Sequence, residues 1–146
     1  MYKMRLIEGG VCAADGFFAD GIHIGLKKDK AKDLAFIYSQ ELCSIASVFT
    51  TNKMTAAPIR HFKAKGNFNG NFVLINSKNA NAMTGKAGID DIDDVLASLS
   101  KNFPSIVNPI MSSTGVIGVR LPKEKISEGA KNFDLTKRDG IAASEA

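Results

Sequence analysis

The sequence predicts an α/β fold, because short strand-like segments alternate with segments of helical periodicity. The first third is rich in glycine and in β-branched or aromatic residues, a composition typical of strands joined by tight turns. Apolar side chains recur every three to four residues after residue 90, which indicates an amphipathic helix. With 146 residues, 45% of them apolar and 23% charged, the chain is long enough for one domain with its own core.

Strands are predicted where apolar, β-branched or aromatic residues cluster. Apolar and other residues alternate over residues 22–26, which suits a half-buried strand, whereas the apolar run at residues 72–75 suits a fully buried one. Residues 34–39 and 45–50 predict an antiparallel pair of strands, with residues 40–44 as the connection between them.

The clearest predicted helix follows Asp90 and Asp91, either of which can cap a helix N-terminus. The acidic cluster that they form with Asp93 and Asp94 requires no metal ion, because a helix N-terminus attracts carboxylates. We expect this helix to end near Pro104. Its apolar face is formed by residues spaced at i, i+3, i+4 and i+7, namely Ile92, Val95, Leu96 and Leu99.

Three further segments are compatible with helices. Residues 54–62 could begin a short helix with Pro58 in its first turn, and Pro122 suits the start of another. A third helix is predicted from residues 136–139 to Ala146. Because no stop signal follows it, we expect the chain to be a fragment of a longer protein.

The charge distribution argues against a nucleic-acid-binding protein. The net charge is only +4, from 19 basic and 15 acidic residues, and the lysines are scattered along the chain. The densest group, at residues 27–33, is interleaved with aspartates and is better explained as a solvated turn. Basic residues also do not alternate with aromatic ones, as they do in single-strand binders.

Other function classes are excluded by missing signals. Cys12 and Cys43 are too far apart in sequence for a metal motif, and we expect both to be reduced and buried. No Gly-x-Gly-x-x-Gly or Walker-type phosphate loop occurs, so nucleotide binding is not expected. No apolar run resembles a signal peptide or approaches the roughly 18 residues of a membrane span, and we therefore expect a cytoplasmic location.

The strongest candidate for chemistry is residues 112–118, between a predicted short strand at residues 107–111 and the helix at Pro122. A turn of this kind exposes backbone N–H groups, and glycine at Gly115 allows an anion to approach the backbone closely. The hydroxyl of Thr114 adds another donor. These groups could stabilise a developing oxyanion, although spacing alone favours an ordinary Ser/Thr-rich turn.

Two other sets of polar residues have simpler interpretations. The asparagines within residues 76–85 could line a pocket, but a loop that satisfies its own backbone groups is the favoured interpretation. His23 and His61 are the only histidines, and no Gly-x-Ser-x-Gly motif accompanies them. We therefore predict that His23 is structural, within a strand, and that His61 lies on the surface.

Four segments in a fixed order give this chain a specific resemblance. The chain resembles the N-terminal part of the ornithine acetyltransferase family, the bifunctional glutamate N-acetyltransferases of arginine biosynthesis, over nearly all of its residues. Any one of the segments would be weak evidence, whereas the combination is specific. They are residues 9–17 (GGVCAADGF), 46–52 (ASVFTTN), 79–85 (NANAMTG) and 112–118 (SSTGVIG).

The resemblance implies a layered αββα-like sandwich of the self-processing type, of which this chain would be the single N-terminal, α-chain portion. Family members cleave themselves into α and β chains, which assemble as an α2β2 heterotetramer. The new N-terminal threonine of the β chain takes an acetyl group from N-acetylornithine and passes it to glutamate. No cofactor is implied, although some members also use acetyl-CoA as a co-substrate. Thr114 and Gly115 would form the oxyanion hole.

This sequence departs from the family pattern at three places. Lys78 stands where many family members have glycine, and Met83 where a smaller residue is frequent. The chain also stops at Ala146, before the expected Ala–Thr cleavage site, so the nucleophile should lie outside it. The alternative function is a binding or structural domain without chemistry of its own.

Overall fold

A four-stranded mixed sheet forms the centre of the fold in the computed structural model, which describes residues 4–146. The strands lie in the order β1-β2-β3-β4. The β1–β2 and β2–β3 pairs are antiparallel, whereas β3 and β4 are parallel. The strand bounds are Phe17–Ile22 for β1, Leu34–Ser44 for β2, Asn69–Asn76 for β3 and Ile110–Ser113 for β4.

Four α-helices accompany the sheet in the part of the chain that the structure describes. The longest, α2, connects β3 to β4 and provides the crossover that a parallel pair of strands requires. None of the described helices combines the length and the apolar character needed to cross a bilayer. The helix bounds are Ala57–Ala64 for α1, Gly85–Asn102 for α2, Lys123–Ala130 for α3 and Gly140–Glu145 for α4.

The core lies between one face of the sheet and the helices α2 and α3. Phe36 of β2 and Phe72 of β3 point to the same face of the sheet, and their ring centroids lie 5.7 Å apart. Phe133, after α3, packs on Phe36 at 4.8 Å. The predicted apolar face of α2 is confirmed, because its four residues are all buried in this cluster: Ile92, Val95, Leu96 and Leu99.

The opposite face of the sheet is covered only in part. Helix α4 lies on β1 so closely that a Cβ at Gly21 would overlap the carbonyl group of Ala142. Farther along the same face, Ile37, Val73 and Ile110 line an apolar cleft of about 310 Å³. Half of this sheet face therefore has no covering layer within residues 4–146.

The predicted antiparallel pair at residues 34–39 and 45–50 is wrong in its second half. Strand β2 continues through the predicted connection to Ser44, and a register shift after Tyr38 lets its end pair with the start of β3. Residues 45–50 form no strand, and Val48 is 98% exposed. Local β-propensity fails here because no strand lies beside these residues to receive their hydrogen bonds.

The strand predicted at residues 22–26 is also misplaced, since β1 ends at Ile22 and residues 27–33 form the expected turn. The buried Asp33 carboxylate accepts hydrogen bonds from three backbone N–H groups, which fold the chain away from the sheet. The donors are Ile24, Leu26 and Lys27, at 2.6–2.8 Å. The last strand begins at Ile110 rather than at residue 107.

The helix predictions are correct in kind but not always in extent. Helix α1 has Pro58 in its first turn, as expected, and Asp139 caps α4 by accepting a hydrogen bond from the Ala142 N–H at 2.8 Å. Helix α2 begins at Gly85, so Asp90 and Asp91 lie inside it and do not cap it. The predicted α/β class is confirmed.

Candidate active site

Two loops meet at the carboxyl edge of the parallel strands. The loop after β4 (residues 114–118, the β4 loop) runs beside the loop after β3 (residues 77–83, the β3 loop), because parallel strands end at the same edge of a sheet. Backbone hydrogen bonds of 2.8–3.1 Å extend the pairing into the loops: Thr114 to Asn76, Val116 to Lys78, Ala80 to Val116 and Gly118 to Ala82. The predicted candidate segment is therefore held against the asparagine-rich segment.

Thr114 and Gly115 expose two hydrogen-bond donors at this edge. The Thr114 N–H is already bound to the Asn76 carbonyl at 3.1 Å, and Val116 N–H binds the Lys78 carbonyl at 3.0 Å. Between them, the Thr114 hydroxyl and the Gly115 N–H have no partner among residues 4–146, and both residues are exposed. Two neighbouring, uncommitted donors on an ordered backbone are suited to bind a single anionic oxygen.

Gly115 is required at its position by close backbone contact. Its φ is +130°, a conformation that side chains rarely adopt. A Cβ there would overlap the carbonyl group of Lys78 and lie 2.7 Å from the Asn79 nitrogen. Lys78 itself has φ +75°, a left-handed conformation that glycine adopts with less strain than lysine. Met83, the other departure, also has a positive φ, of +60°.

The favoured interpretation, a loop whose asparagines satisfy its own backbone groups, is correct only in part: Asn79 Oδ1 accepts the Asn81 N–H, but the amide nitrogens of both residues bind carbonyls outside the loop. Asn79 donates from Nδ2 to the carbonyls of Val119 and Arg120, at 3.0 Å each. Asn81 donates from Nδ2 to the Gly88 carbonyl at 2.8 Å. These buried amides join the β3 loop to α2 and to the segment that follows the β4 loop, so they order the site.

Clefts adjoin the β4 loop. One, of about 380 Å³, is lined in part by Lys78, Asn79 and Val116. Another, of about 410 Å³, is lined in part by Met83 and by the basic residue Arg60. Met83 follows Ala82, whose carbonyl accepts the Gly118 N–H. Residues of the two paired loops thus border clefts that are large enough for a small molecule.

The acidic cluster of α2 is explained by three ion pairs and a hydrogen-bonded histidine, and not by a helix N-terminus. Its members lie in the middle of the helix, and each has a basic partner: Lys86 for Asp90, Arg120 for Asp91, His61 for Asp93 and Lys123 for Asp94. No group of three potential metal-binding side chains occurs among residues 4–146. The cluster thus anchors neighbouring elements to α2.

The histidines take different positions from those predicted. His61 is buried, with 7% of its surface exposed, because α1 turns it toward α2 and places Nε2 3.1 Å from Asp93. Burial and the nearby Lys65 lower the pKa of His61, outweighing the bond to Asp93. His23 follows β1 and lies 2.7 Å from the Ala31 carbonyl. None of these partners belongs to the β4 loop.

Comparison with known proteins decides the family. The model of the ArgJ family matches residues 18–146. This chain belongs to the ArgJ family. The arginine biosynthesis bifunctional protein ArgJ of Wolinella succinogenes is 53% identical over all of this chain and 37% of its own length. The ArgJ protein of Caldanaerobacter subterraneus is 39% identical over 98% of this chain and 36% of its own length.

Two solved ArgJ-type structures share the fold. The arginine biosynthesis bifunctional protein ArgJ from Bacillus halodurans superposes with a TM-score of 0.85 and 36% identity, covering 94% of this chain and 74% of that chain. The ornithine acetyltransferase from Mycobacterium tuberculosis, complexed with ornithine, gives a TM-score of 0.81 and 33% identity, covering 97% and 80%. The expected kinship with the ornithine acetyltransferase fold is confirmed. This chain spans just over a third of the length of its curated ArgJ relatives.

Sequence patterns identified the donor segment of this ArgJ chain but missed the residues that hold it. The sequence places Asn76 only at the start of a polar segment, and it carries no local signal for the Asp91–Arg120 pair. Both cysteines are free, as predicted, yet only Cys12 is buried and Cys43 is half-buried. A polar residue directly after a buried strand was the one available signal for Asn76.

Proposed function

We propose that this chain supplies the oxyanion-binding half of an N-acetyltransferase active site, which transfers acetyl from N-acetylornithine to glutamate in arginine biosynthesis. One observation carries the proposal. The Thr114 hydroxyl and the Gly115 N–H belong to adjacent exposed residues and have no partner among residues 4–146, in a chain of the ArgJ family. Two such donors match the needs of acyl transfer.

The chemistry requires a nucleophile that we place outside this chain. We propose that it is the N-terminal threonine of a β chain released from the same precursor, with its own α-amine as general base. Its hydroxyl gives its proton to the α-amine as it attacks the acetyl carbonyl, and the carbonyl oxygen becomes an oxyanion. Collapse of this intermediate breaks the C–N bond and expels ornithine, whose amine takes the proton back from the α-amine. The glutamate amine then attacks the acetyl-enzyme in the same way.

Thr114 and Gly115 act at both tetrahedral intermediates. Preformed donors stabilise the oxyanion more than the ground-state carbonyl, and each is worth about 3–4 kcal/mol of barrier. This mechanism needs no histidine, which accords with partners of His23 and His61 that lie outside the β4 loop. It also needs no bound cofactor.

The names of the similar proteins support the choice of substrates. The Mycobacterium tuberculosis structure is described as an ornithine acetyltransferase complexed with ornithine, and the curated relatives are described as bifunctional. We propose that the enzyme to which this chain belongs also takes acetyl from N-acetylornithine and transfers it to glutamate. For the second activity we propose acetylation of glutamate from acetyl-CoA, which would serve as a co-substrate. We place the enzyme in the cytoplasm.

The β chain is the proposed partner of the uncovered sheet face. Ile37, Val73 and Ile110 present apolar side chains on the half of the sheet that α4 leaves open. A second sheet packed there would bury this surface and complete the αββα layers. We propose that the resulting αβ unit pairs with a second copy, as an α2β2 heterotetramer.

The test is mass spectrometry and an acetyl-transfer assay on the full-length native gene product. We expect two chains, the second beginning with threonine, and production of N-acetylglutamate when N-acetylornithine and glutamate are supplied together. A trapped acetyl-enzyme should carry the label of acetyl-labelled N-acetylornithine on the second chain. A single uncleaved chain that transfers no acetyl group would overturn the proposal in favour of a non-catalytic domain.

A further inference from the structure

We propose that Asn76 is the positioning residue of the Thr114–Gly115 donor pair, an inference that rests on the proposed function and deepens it. Asn76 is the last residue of β3 and is fully buried. It does not reach the exposed edge, so it cannot contact a substrate there. Its role would be to hold the backbone that presents the two donors.

Asn76 binds both loops of the site at once. Its Nδ2 donates to the carbonyls of Ser77 and Asn79, at 3.2 and 3.0 Å. Its Oδ1 accepts the Ser113 hydroxyl at 2.6 Å, and its carbonyl accepts the Thr114 N–H at 3.1 Å. One side chain therefore closes the turn of the β3 loop and fixes the residue that precedes Thr114.

The closed turn determines where Gly115 lies. Within it, Lys78 is held at φ +75°, an unfavourable conformation that persists only when its surroundings enforce it. The Lys78 carbonyl then binds the Val116 N–H, and Gly115 lies directly against Lys78 and Asn79. If the turn relaxed, the support for Gly115 would move and the Gly115 N–H would change its position relative to the Thr114 hydroxyl.

The same bonds leave the donor pair free for substrate. Because the Asn76 carbonyl takes the Thr114 N–H and the Lys78 carbonyl takes the Val116 N–H, the Gly115 N–H between them is not drawn into the pairing of the two loops. The Thr114 hydroxyl is likewise not needed to hold the loop, since Ser113 supplies the side-chain contact. Ser113 and Val116 thus hold the loop in place, whereas the Thr114 hydroxyl and the Gly115 N–H stay free to bind substrate.

A matched control exists in the same strand. Asn71 is also a buried asparagine of β3, with Nδ2 bound to the Ser105 carbonyl at 3.0 Å and Oδ1 bound by the Val107 N–H at 2.7 Å. It lies at the other end of the strand, about 16 Å from Asn76. Replacing either amide by a carboxylate should disturb folding in a similar way, but only one replacement touches the donor loop.

The experiment compares Asn76→Asp with Asn71→Asp in the full-length, self-processed gene product, with folded and cleaved protein quantified in each case. We expect Asn76→Asp to lower kcat for acetyl transfer by about 10- to 100-fold with KM within threefold, because a small displacement of catalytic donors has effects of this size. Asn71→Asp should stay within twofold of wild-type kcat. Equal kcat for the two variants, or a change in KM alone, would overturn the proposal.

Two serine variants keep the inference falsifiable if Asn76→Asp fails to fold. Ser113→Ala removes the hydroxyl that binds Asn76 Oδ1, and we expect kcat to fall by at least threefold. Ser113→Thr keeps a hydroxyl and should recover most of the activity, whereas equal kcat in the two serine variants contradicts the proposal. A wild-type enzyme that transfers no acetyl group overturns the proposed function, and this inference with it. An active wild type with unaffected Asn76 and Ser113 variants overturns the inference alone.

Discussion

Arg120 binds both carboxylate oxygens of Asp91, with its Nε and Nη2 each 2.6 Å from an oxygen. Asp91 is 1% exposed within α2, whereas Arg120 follows the β4 loop. The Arg120 carbonyl also accepts a hydrogen bond from Asn79. This pair therefore fastens the segment after the β4 loop to α2. The bond from Asn79 joins the same segment to the β3 loop.

The Asp91–Arg120 pair predicts that stability falls in acid. The hydrogen bonds from Arg120 lower the pKa of Asp91, outweighing burial, which raises it. A carboxyl whose pKa is lower in the folded state stabilises the fold above its unfolded pKa of about 3.9 and loses this effect as pH falls through the folded value. Chemical denaturation at pH 7 and below pH 4 should show this loss in wild-type protein.

The variant Asp91→Asn should have lower stability at pH 7 and a smaller loss below pH 4, because it keeps the shape but not the charge. Asp90→Asn is the matched control, since the neighbouring Asp90 pairs with Lys86 on the exposed helix surface, where an ion pair contributes little. An acid dependence that is unchanged in Asp91→Asn would show that other groups cause it.

The Thr114 hydroxyl is predicted to act in the chemical step. Thr114→Ala should lower kcat by about 10²- to 10³-fold in correctly processed enzyme, because one of two oxyanion donors is lost. Thr114→Ser keeps the hydroxyl and should retain activity within about tenfold. Steady-state kinetics with N-acetylornithine and glutamate measure both effects. A Thr114→Ala enzyme with wild-type kcat would remove this residue from the mechanism.

Gly115→Ala is predicted to displace the loop itself. The new Cβ would overlap the Lys78 carbonyl, at a φ of +130° that alanine rarely adopts, so kcat should fall by about 10²-fold or more. Gly118→Ala is the matched control, since Gly118 also has a positive φ, +80°, but open space at its Cβ position. The loss of kcat should be clearly smaller there. Equal losses would mean that backbone strain, and not the contact with Lys78, is responsible.

His61 predicts a second pH effect, in a different range. Its pKa is lowered by burial and by Lys65, and the bond to Asp93 does not compensate because the Asp93 side chain is 63% exposed and screened by water. The neutral ring is therefore favoured in the folded state. Stability should fall as pH drops from 7 through the folded pKa, which lies below 6.5.

Denaturation curves between pH 7.5 and 5 test this effect. His61→Gln cannot be protonated at this position and should show a smaller dependence on pH, while His23→Gln keeps His61 and serves as the matched control. A pH dependence as steep in His61→Gln as in the wild-type protein would contradict the assignment.

The errors in the sequence predictions have a common physical origin. His61 is predicted to lie on the surface, yet α1 packs it against Asp93, which lies 32 positions along the chain. Residues 45–50 have strand composition but form no strand, since β2 itself extends to Ser44 and pairs with β3. In each case the outcome depends on a partner that is distant in sequence.

Local spacing by itself determined the α/β class, the buried stripe of α2 from Ile92 to Leu99, and a glycine-containing turn at residues 112–118, whereas the role of Thr114 and Gly115 followed only from the resemblance. These features depend on helix and strand periodicity and on the conformational freedom of glycine, which act over a few residues. Only the tertiary structure decided that Asn76 joins the two loops and that Asp91 binds Arg120. Both contacts connect residues about 30 or more positions apart, and the packing of the whole sheet and helix layer brings them together.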